Sequence, residues 1–287
     1  MANIREIKGR IKSVKNIQKI TQAMKVVASA RLKKAQERIV GARPYAYRLA
    51  DVIRSLSGKV ERDLHPLMAK HEEGKRVLVV ITADRGLCGS FNTNILRRAQ
   101  GYLKENPSTV LLVVGKKGRD FFKRRHVPIR REWIQVFPAV DYSHVKEIAN
   151  EIDKLYTEEP CLRVEILYNE FKSVIQQKVT TDILLPIEPQ KLPDDSKVPS
   201  LNGDMLFEPD MDALLEILMP KYVAIEVQRT LLESFSSEMG ARRMAMEAAS
   251  KNAKEMIGRL TLTYNRLRQA AITKEIAEIV GGAEAQK

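Results

Sequence analysis

The stretch Asp84-Arg85-Gly86-Leu87-Cys88-Gly89-Ser90 is where this chain comes nearest to a chemical site. It follows the apolar run Val77–Ala83 and precedes a helical pattern from Asn92 to Glu105. That strand–turn–helix position is where an α/β protein cradles a phosphate on a helix N-terminus. Its two glycines, Gly86 and Gly89, do not make G-x-G-x-x-G, and no G-x-x-x-x-G-K-S/T occurs in the chain. A structural tight turn is the better reading of Asp84, Arg85, Gly86, Cys88 and Gly89. Cys88 at a helix start is placed to be a reactive thiol. No histidine or second cysteine is near it in sequence, which favours a packed side chain. His65, His71, His126 and His144 lack metal-ligand spacing, so no metal is expected. Lys116, Lys117, Arg119, Lys123, Arg124 and Arg125 surround Phe121 and Phe122, a mixture that suits nucleic acid. A solvated helix face with its apolar side buried explains the cluster more simply. No nucleophile–base pair or carboxylate dyad assembles from spacing. Catalytic residues and cofactors are therefore expected to be absent.

The turn belongs to a middle segment that alternates strands and helices. Strands are expected at Val77–Ala83, Thr109–Val114, Leu162–Tyr168 and Val179–Leu185. Helices are expected at Asn92–Glu105, Arg119–Arg125 and Asp141–Glu158. Continuous apolar strands in this order imply a Rossmann-like, mostly parallel sheet covered by helices. Residues 186–209 carry five prolines and read as a link into the last segment.

Both ends of the chain read as long helices. Ile4, Ile7, Ile11 and Val14 keep the 3-4-3 spacing of a coiled-coil seam. The apolar stripe then runs on through Ile17, Ile20, Met24 and Val27, a phase slip that would overwind the supercoil locally. Gly58 is expected to end this helix. At the other end Leu218, Ile225, Leu232, Met239, Met246, Ala253, Leu260 and Leu267 recur every seven residues. The alternate positions are mixed, with Tyr222, Arg229, Ser236, Arg243, Ser250, Ile257, Tyr264 and Ala271. Pro220 is expected to start or kink this helix, and Gly281–Gly282 to end it. Neither stripe can be buried alone, so an antiparallel two-helix coiled coil is expected. The fold class is thus α/β, with the coiled coil made from both termini. The chain divides into 1–58, a coiled-coil helix; 76–190, the α/β head; 191–209, a linker; and 210–287, the second coiled-coil helix.

Composition fits this plan. The 287 residues are 44 % hydrophobic and 30 % charged, the range of a globular protein. No run of about 18 apolar residues offers a membrane span. The basic amphipathic N-terminus continues far past any cleavage point and reads as mature structure. Cys88 and Cys161 stand apart, which fits a reducing compartment. Of the net +13, residues 1–58 supply +11, whereas residues 206–287 carry −1. So basic a first segment calls for an acidic partner, either nucleic acid or a carboxylate-rich protein face. The residues alone leave three readings: a shaft that binds acidic protein, a nucleic-acid-binding coiled coil, and a divergent Rossmann enzyme.

Three stretches narrow the choice. They are IQKITQAMKVVA at 17–28 with RLKKAQ at 31–36, the turn DRGLCG at 84–89, and RLRQAAITKEIAEIVGGA at 266–283. Together they resemble the signature sequences of the gamma subunit of the F-type ATP synthase, and the likeness spans essentially the whole chain. The resemblance implies a non-catalytic central rotor inside a ring of three alpha and three beta subunits, one copy per complex. The head would meet the epsilon subunit and the membrane ring of c subunits. Proton flow would turn ring and shaft, driving ATP synthesis at the beta subunits, with hydrolysis in reverse. Nucleic acid drops out as a partner. By position, Met24 and Lys25 would face an acidic loop of beta, and Arg242, Gln269 and Thr273 would contact the stator. Ile272, Ile276, Ile279 and Val280 lie on an overhang of about six residues, roughly 10 Å at about 1.5 Å per residue, and would form an apolar bearing tip. Chloroplast members carry a redox-active cysteine pair that this chain lacks. A bacterial protein, peripheral on the cytoplasmic face of the cell membrane, is implied.

Overall fold

Every side chain from Val77 to Ile81 is buried, and that decides the architecture of the middle of the chain. Val77, Val79 and Ile81 face one core with Ile148 and Ile152, Ile53 and Val223. Leu78 and Val80 face the opposite core with Ile95, Ala99 and Phe122. A strand covered on both faces has no polar side to alternate with, hence its unbroken apolar run. Each such fully buried Val, Leu or Ile contributes about 1.5–3 kcal/mol relative to exposure.

The computed structural model describes residues 4–57, 65–137, 140–188 and 210–284. In chain order these form α1 (Ile4–Ser57), β1 (Lys75–Ile81), α2 (Phe91–Glu105), β2 (Val110–Val114), α3 (Lys116–Lys123), β3 (Arg131–Trp133), α4 (Tyr142–Glu158), β4 (Cys161–Phe171), β5 (Gln177–Leu185) and α5 (Met211–Glu284). The sheet order is β3-β2-β1-β4-β5. β1 pairs in parallel with β2 and β4, β2 with β3, and β4 pairs antiparallel with β5. The segment joining β4 to β5 is too short for a crossover, so the hairpin must reverse. The mostly parallel sheet is thus as expected. β3 was not foreseen, because three residues, two of them charged, show no periodicity.

The chain divides into two compact units, one of Met1–Ala28 with Arg243–Lys287, the other of Ser29–Arg242. These units cut α1 and α5 rather than falling at their ends, unlike the segments drawn from sequence. Gly58 and the linker 191–209 lie outside the described residues. α5 starts at Met211, not Pro220, because Asp210 caps it: its carboxylate accepts the Ala213 N–H at 2.8 Å. Pro220 sits inside the helix, and the helix runs through Gly281 and Gly282 to Glu284.

In the first unit the α1 seam does not slip. Ile4, Ile7, Ile11 and Val14 continue through Gln18, Thr21, Lys25 and Ala28, all buried or half-buried. Ile17, Ile20 and Val27 are 50 %, 59 % and 50 % exposed, which corrects the expected stripe. A strict 3-4 alternation keeps one face toward the partner helix even where the residues are polar. Thr21 meets its own demand by donating to the Gln18 carbonyl at 2.9 Å. On α5 the heptad holds, with Met246 and Ala253 buried and Ile257, Leu260, Tyr264, Leu267 and Ala271 half-buried.

Candidate functional site

The turn after β1 is built around side chains that answer one another. Thr82 extends β1, and its hydroxyl donates to the Val114 carbonyl at 3.0 Å while accepting the Gly118 N–H at 2.8 Å. Asp84 Oδ1 accepts the backbone N–H groups of Lys116 at 3.0 Å and Gln135 at 3.1 Å. One carboxylate thereby joins the end of β1, the start of α3 and the segment after β3. The N-terminus of α3, which in a nucleotide-binding sheet would face a phosphate, is taken by this carboxylate. Gly115 turns into α3 with φ +97, and a Cβ there would stand 2.1 Å from the Thr82 carbonyl oxygen. Thr82 and Asp84 thus tie the end of β1 to the start of α3.

Cys88 is 2 % exposed and packs with Ala83, Phe91 and, more loosely, Ala241. The Asn92 side-chain amide donates to its sulfur at 3.2 Å, and Asn92 Oδ1 accepts the Ala83 N–H at 3.0 Å. Burial pushes the Cys88 thiol up, Glu238 adds to this, and Arg242 opposes it. This is a packed thiol rather than an activated one. Arg85, Leu87 and Gly89 are the exposed part of the turn.

Arg242 meets the turn from α5. It donates to the Gly86 carbonyl at 3.2 Å and pairs with Glu238 at 2.6 Å, the two side chains only 10 % and 5 % exposed. The structure thus brings Arg242 together with the head turn and directs its guanidinium inward. Burial raises the Glu238 carboxyl above its ordinary range, against the pull of Arg242. The i,i+4 spacing of Glu238 and Arg242 was the sequence signal for this pair. Lys25, in the first unit, forms an ion pair with Glu247 of α5 at 2.8 Å. The bond to Lys25 holds the Glu247 carboxyl below the usual carboxylate range. No local spacing announces a pair 222 residues apart.

Met24 is half-buried beside Lys25. Gln269 and Thr273 are exposed on α5, joined only by the Thr273 hydroxyl donating to the Gln269 carbonyl at 3.0 Å. Ile272, Ile276, Ile279 and Val280 follow at 46 %, 57 %, 71 % and 54 % exposure. The basic cluster on α3 is a solvated face: Arg119 pairs with Asp120, Lys123 with Glu132, and Arg125 lies 3.7 Å over the Phe121 ring. Phe122 points into the core. Among the described residues, no helix is long and apolar enough to cross a membrane.

Comparison with known proteins agrees across the chain. Residues 3–286 match the family model described as ATP synthase. The ATP synthase gamma chain of a Geobacter species is 45 % identical over 291 residues, covering 100 % of both chains. A chain in the central stalk and c-ring structure of the Tetrahymena thermophila mitochondrial ATP synthase superposes with TM-score 0.63 at 27 % identity, over 80 % of this chain and 99 % of that one. A chain in the OSCP, F1 and c-ring structure of the Euglena gracilis enzyme gives TM-score 0.68 at 25 % identity, over 99 % of this chain and 94 % of that one.

Proposed function

The chain belongs to the ATP synthase gamma chain family and is the central rotor shaft of that complex, and on this premise we propose how its own residues serve the role. A shaft must pass torque without slipping at its joints. In the second unit α5 is locked to the sheet: the Arg242 guanidinium holds the Gly86 carbonyl, and the Ser237 hydroxyl donates to the Asn169 carbonyl at 2.9 Å. A twist applied to the head then enters α5 instead of being lost in a loose contact. In the first unit the seam and the Lys25–Glu247 pair keep two helices together. Ile17, Ile20 and Val27 stay exposed as an apolar face for the surrounding subunits. Asp84 and Thr82 are spent on the N-terminus of α3, and a shaft role leaves nucleotide chemistry to the partners.

The finer assignments belong to the same proposal. One copy works inside three alpha and three beta subunits, meeting epsilon and the c-ring, peripheral to the cytoplasmic face of a bacterial membrane. Met24 and Lys25 face beta, with Lys25 shared between Glu247 and a partner carboxylate. Arg242 acts on the stator through the turn it supports, and Gln269, Thr273 and the tip from Ile272 to Val280 seat the shaft. The observation that carries the reading is the full-length likeness to gamma chains together with the exposed apolar face beside the helix seam. The test is native mass measurement of the complex formed when this chain is co-expressed with its alpha and beta partners. One copy per three of each is the expected result; two copies, or a complex that forms equally well without this chain, would refute it.

A further inference from the structure

The positive charge of the head gathers on two helices. Residues 91–125 hold nine Lys/Arg against two acids, Glu105 and Asp120, a net +7. Residues 126–205 hold nine against fourteen, a net −5. β2 contributes no charge, so the excess stands on α2, α3 and the two arginines that follow α3. These helices touch one another and cover the same face of the sheet, with Ile95, Ala99 and Phe122 in one core. Arg97, Arg98, Lys104, Lys116, Lys117 and Arg124 are exposed. Asp120 is taken by Arg119 at 2.8 Å and Glu132 by Lys123 at 2.8 Å, and the six exposed cations form no ion pair among the described residues. Lys116 and Lys117 occupy the first turn of α3, where a cation opposes the helix dipole, so local stability does not explain them. No large apolar side chain from Phe91 to Trp133 is exposed, and Phe121 lies under Arg125.

We propose that this face binds the phosphate headgroups of anionic lipid and draws the free chain to the membrane at which its complex is built, an inference that rests on the rotor reading. A protein partner would need an apolar or aromatic centre, which the face lacks. Single-stranded nucleic acid would need open rings for its bases, and Phe121 and Phe122 are covered. A lipid surface asks only for cations spread over an area, each worth about fivefold in binding at an anionic leaflet. Such attraction fades within about 8 Å at physiological ionic strength and has no register. It gathers the chain without fixing the angle of a head that must turn. α1 is more basic still, yet its exposed Ile17, Ile20 and Val27 mark it for protein contact.

The test sediments the full chain with vesicles of phosphatidylcholine alone or with about one third phosphatidylglycerol, at about 0.15 M salt. The chain should bind the anionic vesicles and not the neutral ones. Arg98→Gln, Lys116→Gln and Lys117→Gln together should weaken that binding about a hundredfold. Lys8→Gln, Lys12→Gln and Lys15→Gln remove the same charge from exposed positions of α1 and should weaken it less than about threefold. All three head positions are exposed, so the head variant should melt with the native chain. If it does not fold, Lys116→Gln with Lys117→Gln decides, at a loss of about 25-fold. Absence of binding to anionic vesicles, or equal losses in the head and α1 variants, overturns the proposal. So does capture by duplex DNA at a lower phosphate concentration than by the vesicles, since the face would then serve nucleic acid. The head variant should still enter a complex with three alpha and three beta subunits, so failure of lipid binding and failure of the rotor reading are separate results.

Discussion

Arg242 holds two groups at once, the Gly86 carbonyl and the Glu238 carboxylate, and both lose their partner if it is removed. Arg242→Ala should cost about 3–5 kcal/mol at neutral pH, the range for breaking a buried ion pair from one side. The loss should depend on pH. Burial already raises Glu238 against the pull of Arg242, so the variant's carboxyl rises further. A carboxyl whose folded pKa exceeds its unfolded value takes up a proton on folding. Stability of the variant then falls as pH rises out of the ordinary carboxylate range. Urea midpoints in mild acid and at neutral pH check this; an equal loss at both would mean that Glu238 is not the stranded group. Cys88 makes a different prediction. Its raised thiol stays protonated at neutral pH, so native protein should react with iodoacetamide about tenfold more slowly than unfolded protein. Cys88→Ser should destabilise by about 1–3 kcal/mol, through a hydroxyl placed against Phe91 and Ala83. Activity should be the same in reducing and mildly oxidising buffer. A reversible oxidative loss that disappears in Cys88→Ser would show that the thiol is a switch.

At the scale of elements, the α1 seam is polar at Gln18, between Val14 and Thr21. Gln18→Leu should raise the stability of the isolated chain by about 1 kcal/mol by extending the apolar stripe. Ile17→Ser, on the exposed face, should leave that stability within about 0.5 kcal/mol and weaken assembly instead. Thermal melts of the isolated chain read the first effect, and yield of the assembled complex reads the second. A drop in melting temperature for Ile17→Ser would place Ile17 in the seam after all. This contrast also explains what sequence could and could not show. The α5 heptad was legible because its repeating positions from Leu218 to Leu267 are apolar wherever they fall. The α1 seam was not, because Gln18, Thr21 and Lys25 lie inside it while Ile17, Ile20 and Val27 lie outside. Periodicity counts apolar residues without saying which chain covers them. The parallel sheet was legible from strands buried on both faces. β3 was too short to carry a pattern, and the role of Asp84 depends on backbone groups that follow it by 32 and 51 residues.

For the whole molecule the question is what the end of α5 does in a rotor. Ala271 is the last half-buried seam position, and from Ile272 to Gly282 each described side chain is exposed. Ile272, Ile276, Ile279 and Val280 therefore contribute little to holding this chain's own helices together. Apolar contact is non-directional, so such a tip can turn against an apolar sleeve without breaking a fixed set of hydrogen bonds. The Thr273 hydroxyl is already satisfied within its own helix, which suits a surface that slides. Truncation from Ile272 onward should leave the melting temperature of the isolated chain nearly unchanged. In the assembled complex it should lower torque by degrees, as seating is lost, while ATP hydrolysis continues at the partner subunits. Stepwise removal from the C-terminus, with rotation under viscous drag and hydrolysis measured in parallel, separates the two effects. Complete loss of hydrolysis in a complex that still contains every subunit would mean that the tip takes part in the chemistry. A graded fall in torque with hydrolysis retained is the result expected of a bearing.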